Sequence, residues 1–262
     1  MKTRVITAVV ALAIFIPLIL IGGLPLTIAA LALGVVAISE VLVMKKIFVT
    51  SFPAIVSYLA VLVMIMPKAW LSFLPAQLNR LTTTYILILL LLAHTVFHKT
   101  RFNFDDAGVL TLAILYIGMG FNAFLTARAD GFFTLLYGML IVWLTDSGAY
   151  IFGRQFGKHK LAPKVSPNKT WEGSVLGTVA ATVILAIYLH FFPVGHVNLG
   201  LMVVVTIVLS ILGQIGDLIE SALKRSYGVK DSGKILPGHG GILDRFDSML
   251  LVMPTLYLLG II

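Results

Sequence analysis

Apolar stretches of about 20 residues recur along the whole chain and constrain its fold more than any other feature. Crossing the roughly 30 Å hydrocarbon core of a bilayer takes about 20 apolar helical residues. Polar, glycine and proline breaks delimit nine candidate spans: 5–21, 24–44, 51–66, 81–97, 107–125, 132–153, 172–191, 199–223 and 244–262. We therefore predict an all-α, polytopic integral membrane protein with about nine transmembrane helices. The third span is short and the last begins with two aspartates. For each of these two, the alternative to a lipid-facing span is a segment that is partly interfacial or packed inside protein.

The composition excludes an ordinary water-soluble domain. Of the 262 residues, 59% are hydrophobic and 11% are charged, whereas soluble domains are about 25% charged. Lys2 and Arg4 before an apolar run imitate a signal peptide, but no small-residue cleavage site follows, so we interpret the run as the first span. The absence of cysteine excludes disulfides and thiolate metal sites.

The basic residues indicate how the chain crosses the membrane. With the N-terminus in the cytoplasm, 16 of the 19 Lys and Arg residues are cytoplasmic, and only Lys68, Arg80 and Arg128 lie outside. The positive-inside rule therefore predicts a cytoplasmic N-terminus. The net charge of +8 then concentrates in the loops 154–171 and 224–245, which argues against a nucleic-acid-binding surface. We divide the chain into scaffold helices (1–130) and a C-terminal functional region (131–262) that form one structural unit.

Several carboxylates lie where a membrane disfavours them. An ionisable group inside a span costs roughly 2.5–3.5 kcal/mol, so Asp146, Asp217 and Glu220 should face protein, water or a cation. Asp217, Glu220, Ser221 and Lys224 share one helical face by their spacing. Each of these acids is a candidate functional residue.

Asp244 and Asp247 lie one turn apart on the next predicted helix, so two carboxylate faces can converge. Oxygen ligands without His or Cys suit a hard cation such as Mg²⁺. The alternative is that the acids form ion pairs with Lys224, Arg225 and Arg245. Glu40, inside the second span and shortly before Lys45 and Lys46, is interpreted as an ion-pairing or packing residue.

A basic, glycine-rich connector, residues 230–241, joins the two acidic helix ends. Its glycines allow positive φ and close backbone approach, so its amides and lysines can bind phosphate oxygens. The alternative is a plain turn between helices.

The other basic loop, 154–173, leads into a span. Ser166 followed by Pro167 has the pattern of an N-cap and a first helical residue, which predicts a helix N-terminus that attracts phosphate. The alternative is an interfacial loop that binds anionic lipid headgroups.

The run from Ser221 to Asp247 resembles the signature of phosphatidate cytidylyltransferases, also called CDP-diacylglycerol synthases. The resemblance lies at these positions: Ser221, Leu223, Lys224, Arg225, Lys230, Asp231, Gly233, Leu236, Pro237, His239, Gly240, Gly241, Ile242, Asp244, Arg245, Phe246 and Asp247. The segments 145–150 and 166–173 also resemble that family, although Ser147 stands where Thr is expected. The match covers roughly residues 140–250.

The resemblance implies the reaction of CTP with phosphatidic acid to give CDP-diacylglycerol and pyrophosphate in phospholipid biosynthesis. It also implies a homodimer, Mg²⁺ with a monovalent cation such as K⁺ beside it, and metal ligation by Asp217, Asp244 and Asp247. The catalytic residues by this interpretation are Asp217, Lys224, Arg225, Lys230, Asp231, His239, Asp244, Arg245 and Asp247. Those that bind substrate are Asp146, Lys169, Thr170, Glu172, Ser221, Gly240 and Gly241. In a bacterial host this places the enzyme in the inner (cytoplasmic) membrane with a cytoplasmic active site.

Two other classes of protein stay open. Intramembrane carboxylates also mark ion paths in cation-coupled transporters, although the acids here cluster at cytoplasmic helix ends rather than at the bilayer midplane. A CTP-dependent polyprenol or dolichol kinase would share the membrane setting and the nucleotide but would release CDP.

Overall fold

The structure is a computed structural model that describes residues 2–73, 75, 77–97, 102–195 and 197–262. Within these ranges the chain forms ten α-helices, one short 3₁₀ helix and one two-stranded hairpin. The helices are α1 (Lys2–Ile21), α2 (Gly23–Met44), α3 (Phe52–Ile65), α4 (Arg80–Phe97), α5 (Phe104–Asp130), α6 (Phe132–Phe156), α7 (Trp171–Phe191), α8 (Leu199–Ser226), α9 (Leu243–Phe246) and α10 (Met249–Leu258). The strands are β1 (Lys160–Ala162) and β2 (Ser166–Thr170), and the 3₁₀ helix is Lys68–Leu71.

The first eight predicted apolar runs each coincide with one helix, α1 to α8, which confirms a polytopic helical architecture. Within the described ranges, six helices are long and apolar enough to cross a membrane, namely α2, α4, α5, α6, α7 and α8. Three shorter apolar helices accompany them: Val5–Ile21, α3 and α10. Lys99 and Arg101, two of the basic residues assigned to the cytoplasm, lie outside the described residues.

The ninth predicted span is not one continuous helix. Residues 243–246 form α9, and α10 has only 10 residues, about 15 Å, half of what a bilayer crossing takes. Met249, Leu250, Val252, Met253 and Leu256 of α10 are buried. This burial agrees with the alternative that the last segment packs inside protein.

The chain divides into two compact units. The first comprises Met1–Leu125 with Asp231–Leu243, and the second comprises Thr126–Lys230 with Asp244–Ile262. In the first unit α2 packs on α1 and α3, and α3 packs on α4; in the second, α6, α7, α8 and α10 pack together. The sequence assigns the connector 231–243 to the C-terminal region, whereas the structure places it in the first unit.

Glycines bring α6 and α7 into close contact. A Cβ atom at Gly177 would lie 2.5 Å from the backbone nitrogen of Ala149, and one at Gly148 would lie 2.9 Å from the Cα atom of Gly177. Gly173 and Gly153 approach each other in the same way one turn further along. In a membrane, where apolar burial between helices gains little, such close backbone packing is a main source of helix association.

The predicted helix start at Ser166 and Pro167 is wrong. These residues lie in β2, which pairs antiparallel with β1 through Lys160–Thr170 and Ala162–Ser166. Helix α7 begins at Trp171, and its N-cap is Thr170, whose Oγ1 accepts a hydrogen bond of 3.2 Å from the Gly173 amide. Proline is as compatible with the edge strand of a short hairpin as with a first helical turn, so the local pattern did not distinguish the two.

Candidate active site

A cavity of about 470 Å³ opens in the second unit among α6, the hairpin, α7 and α8. Four predicted site residues line it: Asp146, Lys169, Thr170 and Asp217. The other lining residues are Ala149, Tyr150, Gly153, Arg154, Leu161, Asn168, Ser174 and Gln214. The structure therefore brings the upstream loop and the first acidic helix end to one concave surface.

Asp217 and Lys169 form the charged centre of this cavity. The Lys169 Nζ atom lies 2.6 Å from Asp217 Oδ2, and the side chains keep 22% and 28% of their surface exposed. Ser221, one turn later on α8, donates a hydrogen bond of 3.2 Å to Asp217 Oδ1. The hairpin thus presents an ammonium group to α8, and Ser221 orients the carboxylate rather than lining the cavity itself.

Asp247 joins this acidic group from the turn before α10. A Cβ atom at Gly216 would lie 2.8 Å from the Asp247 carbonyl oxygen, so glycine lets this turn lie against α8 immediately before Asp217. Burial, and after it the nearby carboxylates of Asp217 and Asp146, raise the pKa of Asp247 to about 7 against the opposing effects of the Ser248 amide and Lys224. A bound cation would reduce the repulsion among Asp146, Asp217 and Asp247.

Lys224 lies between two buried carboxylates. Its Nζ atom is 2.6 Å from Glu220 Oε2 and 2.6 Å from Asp244 Oδ1. The side chains of Lys224, Glu220 and Asp244 are 11%, 1% and 6% exposed. The ion pairing considered from the sequence thus exists for Glu220 and Asp244, and it engages an aspartate that is also a predicted metal ligand.

Three other predicted basic residues of the second unit are exposed, namely Arg225, Lys230 and Arg245. Arg225 Nη1 donates to the Val229 carbonyl at 2.9 Å, which holds the start of the connector. Their exposure leaves these cations accessible to anionic groups.

Glu172 acts on the backbone rather than on the cavity, which it does not line. Its Oε2 accepts hydrogen bonds from the amides of Lys158 at 3.1 Å and His159 at 3.2 Å, and its Oε1 lies 2.6 Å from His159 Nδ1. The carboxylate therefore fixes the chain that enters the hairpin to the first turn of α7.

The remaining predicted residues, Asp231, His239, Gly240 and Gly241, belong to the first unit. The Leu236 amide donates to the Gly240 carbonyl at 3.1 Å, and the His239 amide donates to the Leu236 carbonyl at 2.8 Å. Gly238 and Gly240 have φ of 77° and 81°, so positive φ is confirmed at these two glycines.

Sequence reasoning missed Gln214 as a cavity residue. It is only 5% exposed, and its Nε2 donates to Thr178 Oγ1 at 2.9 Å. A carboxamide within the apolar run 199–223 was the available signal, because polar groups inside a span need protein or water partners. Arg154, Asn168 and Ser174 also line the cavity without having been singled out.

The donor set decides whether Mg²⁺ fits. In the described part of the chain, no three His, Cys, Asp or Glu side chains form a ready-made ligand group. Mg²⁺ usually binds through one or two carboxylates and completes its shell with waters and substrate phosphates. Asp217 and Asp247, which lie close enough for the charge of one to raise the pKa of the other, fit such an ion.

Comparison with known proteins identifies the family. The model of the Cytidylyltransferase family matches residues 2–262. The chain belongs to this family. A phosphatidate cytidylyltransferase of Staphylococcus haemolyticus (strain JCSC1435) is 47% identical over 262 residues, which cover 99% of this chain and 98% of the relative. Proteins of the same name from Staphylococcus epidermidis (strain ATCC 12228 / FDA PCI 1200) and Staphylococcus aureus (strain COL) are 46% and 43% identical with the same coverage. The resemblance seen in the sequence is thus confirmed, and the protein is an enzyme of the cytidylyltransferase type.

Proposed function

We propose that this protein is a phosphatidate cytidylyltransferase, which transfers CMP from CTP to phosphatidic acid and yields CDP-diacylglycerol and pyrophosphate for phospholipid biosynthesis. The observation that carries the proposal is the cavity of the second unit, which combines Lys169 with Asp146 and Asp217. The chain around it matches relatives of that name over 99% of its length.

The reaction needs little proton transfer but much charge compensation. The nucleophile is a phosphatidate oxygen, already anionic at neutral pH. It forms a bond to the α-phosphorus of CTP while the bond from that phosphorus to the bridging oxygen breaks, and the electron pair leaves with pyrophosphate. Because both reactants are anions, preorganised positive charge has to offset their repulsion.

Lys169 supplies such charge at the cavity, and Arg154 lies on the same wall. Lys224 keeps Glu220 and Asp244 in place through its two ion pairs. Exposed Arg225, Lys230 and Arg245 are proposed to bind phosphates, and Asp231, His239, Gly240 and Gly241 to bind the nucleotide, on the strength of the family signature.

Mg²⁺ is the proposed cofactor, with K⁺ as a second ion, and its ligands are proposed to be Asp217, Asp244 and Asp247. Asp217 and Asp247 have the stronger support, because the two carboxylates lie close enough for the charge of Asp217 to raise the pKa of Asp247. When bound, the ion would supply positive charge that stabilises the leaving pyrophosphate. We expect EDTA to abolish turnover and added Mg²⁺ to restore it.

The proposed setting is the inner (cytoplasmic) membrane of a bacterium, with nine membrane-associated segments, a cytoplasmic N-terminus and the active site on the cytoplasmic side. The six long apolar helices and the bacterial relatives support a multi-pass protein. The distribution of basic residues supports the orientation. A homodimer is proposed by the family resemblance.

Incubating the purified protein in lipid micelles with phosphatidic acid and α-³²P-CTP tests the activity. We expect the label to enter the lipid fraction, while γ-³²P-CTP leaves its label in pyrophosphate. Release of α-labelled CDP with γ-label in an added polyprenol would instead show a kinase. Absence of turnover with either label would favour a transporter and contradict the proposal.

A further inference from the structure

Glu40 of α2 makes contacts that neither the ion-pairing nor the packing interpretation anticipates. The carboxylate is buried, with 5% of the residue exposed. Its Oε1 accepts a hydrogen bond of 2.7 Å from the Ile242 amide, and its Oε2 accepts bonds of 3.0 Å from the Leu243 amide and 2.8 Å from Ser232 Oγ. The side chain of Lys45, the residue that follows α2, lies 2.5 Å from Asp106.

Two glycines of the connector pack against the same carboxylate. A Cβ atom at Gly233 would lie 2.6 Å from Glu40 Oε1, and one at Gly241 would collide with Glu40 and Ser232. Neither glycine has a positive φ. Glycine is therefore needed at both positions for close approach to Glu40 and not for backbone conformation.

These contacts close the base of a loop. Ser232 and Gly233 stand at its beginning and Gly241, Ile242 and Leu243 at its end, and all meet one carboxylate. Residues between them, including Lys234, Ile235 and Pro237, are exposed. We call residues 232–243 the clamped loop. It contains most of the glycine-rich part of the family signature.

A carboxylate suits this place because it is an acceptor with two oxygens, and the Ser232 hydroxyl and the Ile242 and Leu243 amides are donors. A buried carboxylate is tolerated only when hydrogen bonds replace its hydration, and bonds to a charged acceptor are stronger than neutral ones. The Leu243 amide, which donates to this carboxylate, belongs to the last residue of the clamped loop.

We propose that Glu40 is a positioning residue of the transferase. It holds the clamped loop in the conformation that binds CTP, so helix α2 contributes to nucleotide affinity without touching the nucleotide. This inference rests on the proposed function, because the role of the loop in CTP binding belongs to it.

Glu40→Gln tests the proposal with the smallest change in shape. One acceptor oxygen becomes an NH₂ group that faces backbone N–H donors, so the loop base loses at least one bond. We expect kcat/KM for CTP to fall about tenfold or more, the size expected on losing a hydrogen bond to a charged group. The loss should appear mainly in KM for CTP, with KM for phosphatidate unchanged.

Ser39→Ala is the matched control on the same helix. The Ser39 hydroxyl donates only to the Val36 carbonyl of its own helix, at 2.6 Å. This variant should keep wild-type kinetics. Ser232→Ala removes a single bond to Glu40 and should give a smaller KM effect, and the Glu40→Gln/Ser232→Ala pair should combine less than additively.

The absence of cysteine allows a second readout that does not depend on turnover. A nitroxide attached in Ile235→Cys, at a side chain that is 53% exposed, reports the mobility of the clamped loop. We expect faster motion in the Glu40→Gln and Ser232→Ala backgrounds and no change with Ser39→Ala. If Glu40→Gln does not fold, Ser232→Ala decides alone.

Wild-type kinetics together with unchanged nitroxide spectra in the folded Glu40→Gln or Ser232→Ala variants would overturn the proposal. A loss in kcat with unchanged KM for both CTP and phosphatidate would also overturn the proposal, because a general structural defect would act in that way. If the wild-type protein does not label lipid from CTP, the proposed function fails. The nitroxide comparison would still show whether Glu40 clamps the loop.

Discussion

Two sets of charged side chains in the second unit are ion-paired. Lys169 contacts Asp217, and Lys224 contacts both Glu220 and Asp244. Inside a membrane protein an unpartnered charge is costly, so these contacts serve folding as well as chemistry. A substitution that removes a charge and keeps the fold tests the role in catalysis, whereas one that leaves a charge without its partner tests stability.

Asp217→Asn should remove activity while the protein still folds. The amide keeps the shape of the side chain but loses the charge that binds Lys169 and the proposed Mg²⁺. We expect kcat to fall about 10²-fold or more in the α-³²P-CTP assay, the usual loss for one electrostatic group at a reacting centre. Asp130→Asn is the control, because that carboxylate accepts a bond of 2.7 Å from Thr134 Oγ1 and lies outside the cavity. Wild-type turnover of Asp217→Asn would contradict the assigned role.

Lys224→Met should reduce stability rather than only turnover. The change leaves Glu220 and Asp244 buried without their shared cation. We expect the free energy of unfolding to fall by about 3–5 kcal/mol, measured by denaturant unfolding in detergent micelles. Adding Glu220→Gln should recover part of the loss, because one of the two uncompensated acids becomes neutral. No recovery would show that the two residues are not coupled.

At the scale of elements, the packing of α6 on α7 and the β1–β2 hairpin determine the shape of the cavity. The glycines of α6 and α7 bring these helices together, and the β1–β2 hairpin carries Lys169 and Thr170 to the cavity wall. Thr170 then caps α7, so the strand and the helix are joined without an intervening loop. The cavity wall therefore depends on helix packing that only small residues permit.

Gly177→Ala should destabilise the protein, since its Cβ atom would lie 2.5 Å from the Ala149 nitrogen. We expect a loss of about 1–3 kcal/mol in the free energy of unfolding. Gly108→Ala is the matched control, because it is also helical and nothing lies within 4 Å of the added Cβ atom. That variant should gain about 0.5–1 kcal/mol from helix propensity alone. Equal effects at the two positions would contradict the packing argument.

At the scale of the whole molecule, the proposed topology makes opposite predictions for two exposed positions. Lys164 lies between β1 and β2, and Gln77 lies between α3 and α4. The basic-residue count places the first in the cytoplasm and the second outside. Because the chain has no cysteine, one introduced thiol at a time reports each side without background.

We expect a membrane-impermeant maleimide to label the Gln77→Cys variant in intact cells. The Lys164→Cys variant should react only after the cells are permeabilised. The reverse pattern would invert the proposed orientation and place the cavity on the outer side.

The positions of most helices could be predicted from the sequence, because a helix forms within one continuous stretch of the chain. The apolar runs gave the positions of helices, and the Ser221–Asp247 signature gave the family that the comparisons confirm. Two predictions, the helix start at Ser166 and the continuous ninth span, differ from the structure for the same reason. Residues such as Pro167, Asp247 and Ser248 are compatible with more than one backbone conformation, and neighbouring elements decide between them.

Asp217 and Lys224 could be selected from sequence because a charge inside an apolar run is conspicuous. The pairing of Lys224 with Glu220 and Asp244 was among the alternatives considered, but the partner of Asp217 could not be selected, since Lys169 comes from another element. Glu40 was visible as a buried acid, but its partners Ser232, Ile242 and Leu243 lie about 200 residues away. The sequence by itself determined the helices, because backbone hydrogen bonds within lipid must be satisfied inside each segment. It also determined the family, through the Ser221–Asp247 signature. Which side chains meet depends on the packing of distant segments, so the tertiary structure alone decided the clamp at Glu40 and the ion pair of Lys169 with Asp217 in the cavity.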